Sequence, residues 1–379
     1  MKSTLRGLSA AFIAFLLVLG GALHTAAAQD VSRTFSVSEG EELDLDIETG
    51  GEIIIQGWDR NEVTVEIDLD GADARDVIVN IDEFSGGVEV HTEYNSRRLR
   101  ADVTVRVRVP RRFDIDISTT GGDITIEGVS GSIEGETMGG DLMLTGLSGR
   151  LRMSTMGGDV ELRDSEVDGS VSTMGGDVEI RNVVGSVSGT TMGGDVTYDN
   201  VRSGNGDSRD EVKISTMGGD IEVDEALYGA DVHTMGGDIE VRKAGRFVKA
   251  TTMGGEIVIH EVDGWVEANT MGGDVEVRMT GGTDGDRHVE LSSMGGDIEL
   301  IVPRGLSMRI DAEITLSDDS DDDEFEIVSD FQLETEVRRT SEGRWRNGRT
   351  LRATGDVRGG QNRIRIKTIE GSIYIREGN

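Results

Sequence analysis

The chain has 379 residues, with 38 Lys and Arg against 73 Asp and Glu, a formal net charge of −35. That balance excludes the basic footprint needed to hold nucleic acid phosphates and opposes docking on anionic lipid. It leaves divalent cations, basic proteins and neutral glycans as partners. Cysteine is absent, so there is no disulfide framework and no thiolate metal site, while 54 Gly and only 2 Pro point to a chain of strands and tight corners.

The N-terminus reads as a secretory leader. Lys2 and Arg6 form a positive start, Leu8 to Leu19 an apolar run too short to span a bilayer comfortably, and Ala26-Ala27-Ala28-Gln29 a small-residue cleavage site after Ala28. Residues 1–28 are therefore expected to be removed. No second apolar stretch follows, which predicts an exported chain without a transmembrane segment, in the periplasm, on the cell surface or in the medium.

Residues 29–112 form a strand-rich N-terminal segment. Glu62-Val63-Thr64-Val65-Glu66-Ile67 and Val103 to Val109 alternate apolar and polar residues, the period of a half-buried strand.

From 113 to 302 the sequence is a repeat array. Met-Gly-Gly recurs with Met at 138, 156, 174, 192, 217, 235, 253, 271 and 294, a step of 18 residues broken only by steps of 25 and 23. Thr120-Gly121-Gly122-Asp123 is one more unit with Thr in place of Met. In Thr173-Met174-Gly175-Gly176-Asp177-Val178-Glu179-Ile180-Arg181, alternation after the glycines puts Val178 and Ile180 inward and Glu179 outward. A turn at Val183-Val184-Gly185 leads to a second short strand around Val187. One such unit cannot bury its own apolar face, but a stack can. The expected fold is all-β, a parallel β-solenoid of about ten 18-residue rungs with a strand-rich N-terminal segment and a C-terminal cap. A left-handed hexapeptide helix would want an aliphatic residue every six positions; Val178 and Val184 comply but Thr190 does not.

Residues 303–379 read as a C-terminal β cap. They open at Pro303, carry the acidic run Asp318 to Glu324, expected to be a loop, and close with Arg363-Ile364-Arg365-Ile366-Lys367. Pro110 and Pro303 bracket the array, as the exclusion of proline from ladder interiors requires.

Three features carry candidate chemistry. Asp123, Asp141, Asp159, Asp177, Asp195, Asp220, Asp238, Asp274 and Asp297, with Glu256 in one unit, form a column of carboxylates about 5 Å apart that must be compensated. In one reading Ca²⁺ bridges adjacent rungs, with Asp159, Asp177, Asp195, Asp220, Asp238 and Asp274 as ligands. The favoured reading has each Asp facing water and accepting a bond from a backbone N–H at the glycine corner. The Thr before each Met shares the parity of the core, so the Thr column points inward. Met then falls outward or at the corner, where adaptable packing is the expectation and an exposed soft apolar stripe the alternative. Two longer units place extra residues around Ser203–Asp210 and Gly281–Arg287. Insertions in repeat arrays often sit on a binding face, which nominates Asn205, Asp207, Arg209, Asp284, Asp286 and Arg287 as partner-binding residues.

Catalysis has little support. His91, His233, His260 and His288 are scattered without metal-ligand spacing, and no nucleophile elbow or phosphate loop appears. No catalytic residue and no cofactor other than Ca²⁺ is expected.

Several stretches together resemble the bacterial putative-adhesin family of β-strand repeat proteins, a domain of unknown function. They are Thr49-Gly50-Gly51-Glu52-Ile53 running into Gly57-Trp58-Asp59, Val109-Pro110 before Ile115, the Met-Gly-Gly-Asp units, and Gly359-Gly360 followed by Ile364, Ile366 and Thr368-Ile369-Glu370-Gly371-Ser372-Ile373. The resemblance covers nearly the whole mature chain and brings no catalytic residues. It implies an exported, non-catalytic surface or envelope protein, an adhesin or scaffold whose partner is a cell-surface glycan or envelope protein. The alternatives are a carbohydrate-active β-helix enzyme, since acidic columns could hide a carboxylate pair, and a Ca²⁺-dependent structural module.

Overall fold

A computed structural model describes residues 31–95, 101–202, 211–317, 325–339 and 349–378. The expected leader, residues 1–28, Asn205, Asp207 and Arg209, and the acidic run Asp318 to Glu324 lie outside the described residues. Apart from one turn of 3-10 helix at Ala74–Asp76, the regular structure described is all strand.

Strand formation follows the alternation. In Val178–Val184 the side chains of Val178, Ile180 and Val183 are buried while Arg181 and Asn182 face out. Burying each such aliphatic side chain stabilises the fold by about 1.5–3 kcal/mol. One unit contributes only a few of them, yet the buried residues of all units join in one apolar cluster from Val37 to Ile375.

The pairing within the repeats is parallel and offset by one unit. Ile133 lies opposite Leu151 and Thr137 opposite Thr155; Val160 lies opposite Val178 and Leu162 opposite Ile180. Two ladders run side by side. One is built from the strands that follow each Asp, such as Leu142–Thr145 and Val196–Asp199, and the other from those that precede each Met, such as Ser148–Thr155 and Val212–Ser215. The step of 25 residues is absorbed without loss of register, because Val196 still pairs with Ile221 and Gly189 with Ile214.

Sequence order and spatial order part at both ends. Glu42–Ile47 lies between Asp114–Thr119 and Gly87–Tyr94, parallel to both. Glu52–Trp58 likewise lies between Ile124–Glu127 and Asp102–Pro110. The chain thus lays down an inner unit, moves outward, and crosses back to start the array. At the other end Asn362–Ile369 sits between Val289–Ser292 and Met308–Leu316. Outside these units the pairing turns antiparallel: Glu62–Asp70 pairs with Asp102–Pro110, and Arg349–Val357 with Met308–Leu316. Reversing strand direction at the ends covers edges that would otherwise template pairing with another chain.

Candidate functional site

The repeated corner Thr-Met-Gly-Gly-Asp is where the chain spends its identical residues, and each position has its own physical task. Thr is buried, as strand parity predicts; Thr173 is 4% and Thr234 0% exposed. Its hydroxyl donates to the carbonyl of the second glycine one unit earlier, Thr173 to Gly158 at 2.7 Å and Thr234 to Gly219 at 2.9 Å. The same oxygen accepts from the N–H of its own second glycine, Gly176 and Gly237, both at 3.3 Å. The hydroxyls therefore bond along the stack to backbone, closing groups a tight corner would leave unpaired.

The two glycines differ. A Cβ on the second one, Gly176, would fall deep inside the carbonyl of Gly158 and the carboxylate of Asp159, whereas the nearest atom to a Cβ on Gly175 is 3.4 Å away. Close approach of neighbouring backbones fixes the second position as glycine.

The Asp column is a ladder. The N–H of Asp177 donates to Asp159 Oδ1 at 2.8 Å, Asp195 to Asp177 at 2.8 Å, Asp220 to Asp195 at 2.7 Å and Asp238 to Asp220 at 2.7 Å. Asp159 reaches back to Asp141 and Asp141 to Asp123, both at 2.9 Å. The ladder continues past the array, since Ser372 donates to Asp297 Oδ1 at 2.7 Å although the two residues are 75 apart in sequence. This is the backbone compensation expected for stacked carboxylates, and it occupies Oδ1 on Asp159, Asp177, Asp195, Asp220, Asp238 and Asp274 alike.

Glu256 is the flaw in the ladder. Its own N–H reaches Asp238 Oδ1 at 2.7 Å, but among the described residues no bond runs from the Asp274 N–H to the longer Glu256 side chain. Partial burial, then the charges of Asp274, Asp238 and Glu276, hold the Glu256 carboxyl above its ordinary value of 4.5. A carboxyl raised in the folded state favours folding below its unfolded pKa and loses that contribution as pH rises through the folded pKa. Ionised Glu256 therefore weighs against the fold at neutral pH. Two outcomes are expected in thermal melts. Glu256→Asp restores the missing bond and stabilises by about 1 kcal/mol. Glu256→Gln melts higher than the parent at pH 7, and the gap closes below pH 4.5.

The Met column faces out. Met138, Met156, Met174, Met192, Met217, Met235, Met253, Met271 and Met294 are 39–58% exposed, so the corner-packing expectation gives way to the exposed stripe. The outward direction is the one that alternation with the buried Thr gives, and at the corner no neighbouring side chain folds over the thioether enough to bury it.

Of the insert residues that are described, Asp284 and Asp286 are exposed. Arg287 is 5% exposed and turned inward. It pairs with Asp263 and donates to the carbonyls of Thr280 at 3.0 Å and Asp284 at 3.1 Å. It ties down the insert instead of presenting itself to a partner.

Sequence reasoning missed two features. Asp46, Glu48 and His91 bring ligand atoms within 4.8 Å of one another, with His91 Nδ1 3.1 Å from Asp46 Oδ2. One imidazole and two carboxylates form a donor set suited to a divalent transition ion. Asp46 and Glu48 also line an open groove of ≈ 530 Å³ with Ser118, Thr120, Met138 and Met156. Nothing local signals this group, because Asp46 meets His91 only through the out-of-order pairing of Glu42–Ile47. The second feature was legible. Gly128, Gly146, Asp164, Asn182 and Asn200 stand 18 apart, and all five adopt positive φ between 51° and 69°, a conformation open to Gly, Asn and Asp. Their amides extend the ladder motif, with Asn182 donating to Asp164 at 3.1 Å and Asn200 to Asn182 at 2.8 Å.

No helix among the described residues is long and apolar enough to cross a membrane. No curated protein matches the chain. Several solved structures are similar to it. A putative cell adhesion protein from Clostridium sporogenes is 9% identical over 93% of this chain and 100% of its own, with a TM-score of 0.25. A putative adhesin from Parabacteroides distasonis is 18% identical over 64% and 94%, with a TM-score of 0.36. A putative lipid binding protein from the same species is 14% identical over 64% and 94%, with a TM-score of 0.32. The family model for Toastrack DUF4097 matches residues 40–277. Spanning the out-of-order N-terminal units and most of the Met-Gly-Gly corners, that match shows that the chain belongs to the Toastrack DUF4097 family.

Proposed function

We propose that this protein is an exported, non-catalytic envelope or surface protein whose stacked units form a parallel β-solenoid, acting as an adhesin or scaffold through its outward columns. The observation that carries this reading is the register itself. Because each unit pairs one step along, every outward position is multiplied into a row: thioethers at the corner, carboxylates three residues on. A row repeated every ~4.8 Å offers a partner many weak, identical contacts that sum by multivalency. Identical units are poorly suited to catalysis, which needs one deviant place where unlike groups converge. The carboxylates serve the ladder, and the fold does not depend on Ca²⁺.

The test is retention of the full mature chain on whole bacterial cells, peptidoglycan and envelope glycans, with Ca²⁺ and with EDTA. Retention without release of reducing ends is the expected result, with an EDTA-independent melting temperature. Release of reducing ends would overturn the non-catalytic reading, and a large loss of melting temperature in EDTA would return the Asp column to a cation site.

A further inference from the structure

We infer that the methionine column is a binding site for a soft monovalent metal ion, with copper(I) as the biological candidate and silver(I) as its redox-inert equivalent. Three observations converge on it.

The first is alignment. Thr137 and Thr155 are direct partners in a parallel ladder, so Met138 and Met156, one residue on, are neighbours. The N–H of Thr173 bonds to the Thr190 carbonyl and that of Thr234 to the Thr251 carbonyl, both at 3.0 Å, holding later corners at the same step of ~4.8 Å. The second is mutual cover. Met138 and Met294, at the two ends of the column, are 58% and 53% exposed, while the seven between them are 39–49% exposed. An inner methionine has another methionine corner on each side, and its lower exposure fits cover by those neighbours.

The third is chemical uniformity where packing does not ask for it. The buried position after each Asp interchanges freely, as Leu142, Val160, Val178 and Ile221, because a core needs only shape and volume. The exposed corner position is Met in nine units. Apolar cover alone would accept leucine or isoleucine, and solvation alone would favour charge. What methionine adds is its sulfur. Thioethers are soft, neutral donors that select Cu(I) over hard divalent ions, and they need no deprotonation. With no cysteine in the chain, they are its only sulfur. The adjoining Asp column draws cations toward the ridge without offering a soft donor. If two or three successive sulfurs share each ion, the column holds roughly three to four ions.

The molecule carries its own control, since Met153, Met279 and Met308 are 0–3% exposed. The full mature chain, labelled at the methionine methyl carbons, is titrated anaerobically with Ag(I) and, against a chromogenic competitor, with Cu(I). Shifts are expected at the nine column methyls and not at the 38% exposed Met143, which lies on a strand outside the column, saturating at roughly three to four equivalents, with no response to Zn²⁺ from Met174 onward. Replacing Met156, Met174 and Met192 together by leucine, with the fold checked by circular dichroism, is expected to remove at least one equivalent. Column methyls that stay still in excess Ag(I), or full stoichiometry in the folded triple variant, would overturn the inference. Should the triple variant fail to fold, the methyl shifts of the parent chain decide it alone.

Discussion

Gly176→Ala is expected to destabilise the protein by about 3 kcal/mol, the range of a forced overlap in a close-packed interior. The added methyl would lie inside the Gly158 carbonyl and the Asp159 carboxylate of the preceding unit. Neither can retreat cheaply. The Asp159 Oδ1 is held by the Asp177 N–H at 2.8 Å, and the Gly158 carbonyl accepts the Thr173 hydroxyl at 2.7 Å. Relief therefore means parting two units in the middle of the array, where stability depends on nearest-neighbour interfaces. Gly139→Ala is the matched control: no heavy atom lies within 4 Å of its Cβ position and its φ is not positive. It is expected to be neutral or stabilising by about 0.5 kcal/mol through the unfolded chain. Urea denaturation of the two variants reads the difference, and equal midpoints would refute the close-approach account of the second glycine.

Thr234→Val should cost about 2 kcal/mol although it preserves shape and adds apolar surface. Thr234 is 0% exposed, and its hydroxyl serves the Gly219 carbonyl at 2.9 Å and the Gly237 N–H at 3.3 Å. Valine leaves both buried groups without that partner, and an unmade buried bond costs more than a made one contributes. Thr234→Ser keeps the hydroxyl and should recover most of the loss. The chain already uses serine this way at Ser293, whose hydroxyl reaches the Gly273 carbonyl at 2.8 Å. The Gly237 amide should exchange with solvent faster in the valine variant and at the parental rate in the serine variant. No change in exchange for valine would mean the hydroxyl is dispensable.

What could be read ahead of the structure was whatever has a period. The 18-residue step and the period of two placed Val178, Ile180 and Thr173 correctly, because a strand buries alternate residues whatever its partner. What could not be read was which strand lies beside which at the ends. Glu42–Ile47 and Asn362–Ile369 carry ordinary alternation, and nothing local says that each sits between units distant in sequence. That pairing is also what assembles Asp46 with His91. At the Met corner parity gave the outward direction, and what failed was the preference for packing over an exposed stripe, because alternation says where a side chain points and not how much of it is covered. Arg287 shows a further limit: in a Gly- and Asp-rich insert an arginine reads as exposed, yet Asp263 and two carbonyls draw it inside. The left-handed corner of Gly128, Gly146, Asp164, Asn182 and Asn200 was written at the same 18-residue step and called only for a second column to be read.

The claim on which the rest stands is that successive units stack in register, one strand spacing per unit. Arg163, Arg181 and Asp199 are consecutive partners in one outward column, which Arg242 and Arg278 continue. The chain has no cysteine, so two introduced cysteines carry the only spin labels. Pulsed electron-electron resonance on the pairs Arg163→Cys with Arg242→Cys and Arg163→Cys with Arg278→Cys compares separations of four and six units, ~19 Å and ~29 Å along the stack. The account predicts that the second distance exceeds the first by about 10 Å, whatever the label length. Equal distances, or a shorter second one, would contradict it.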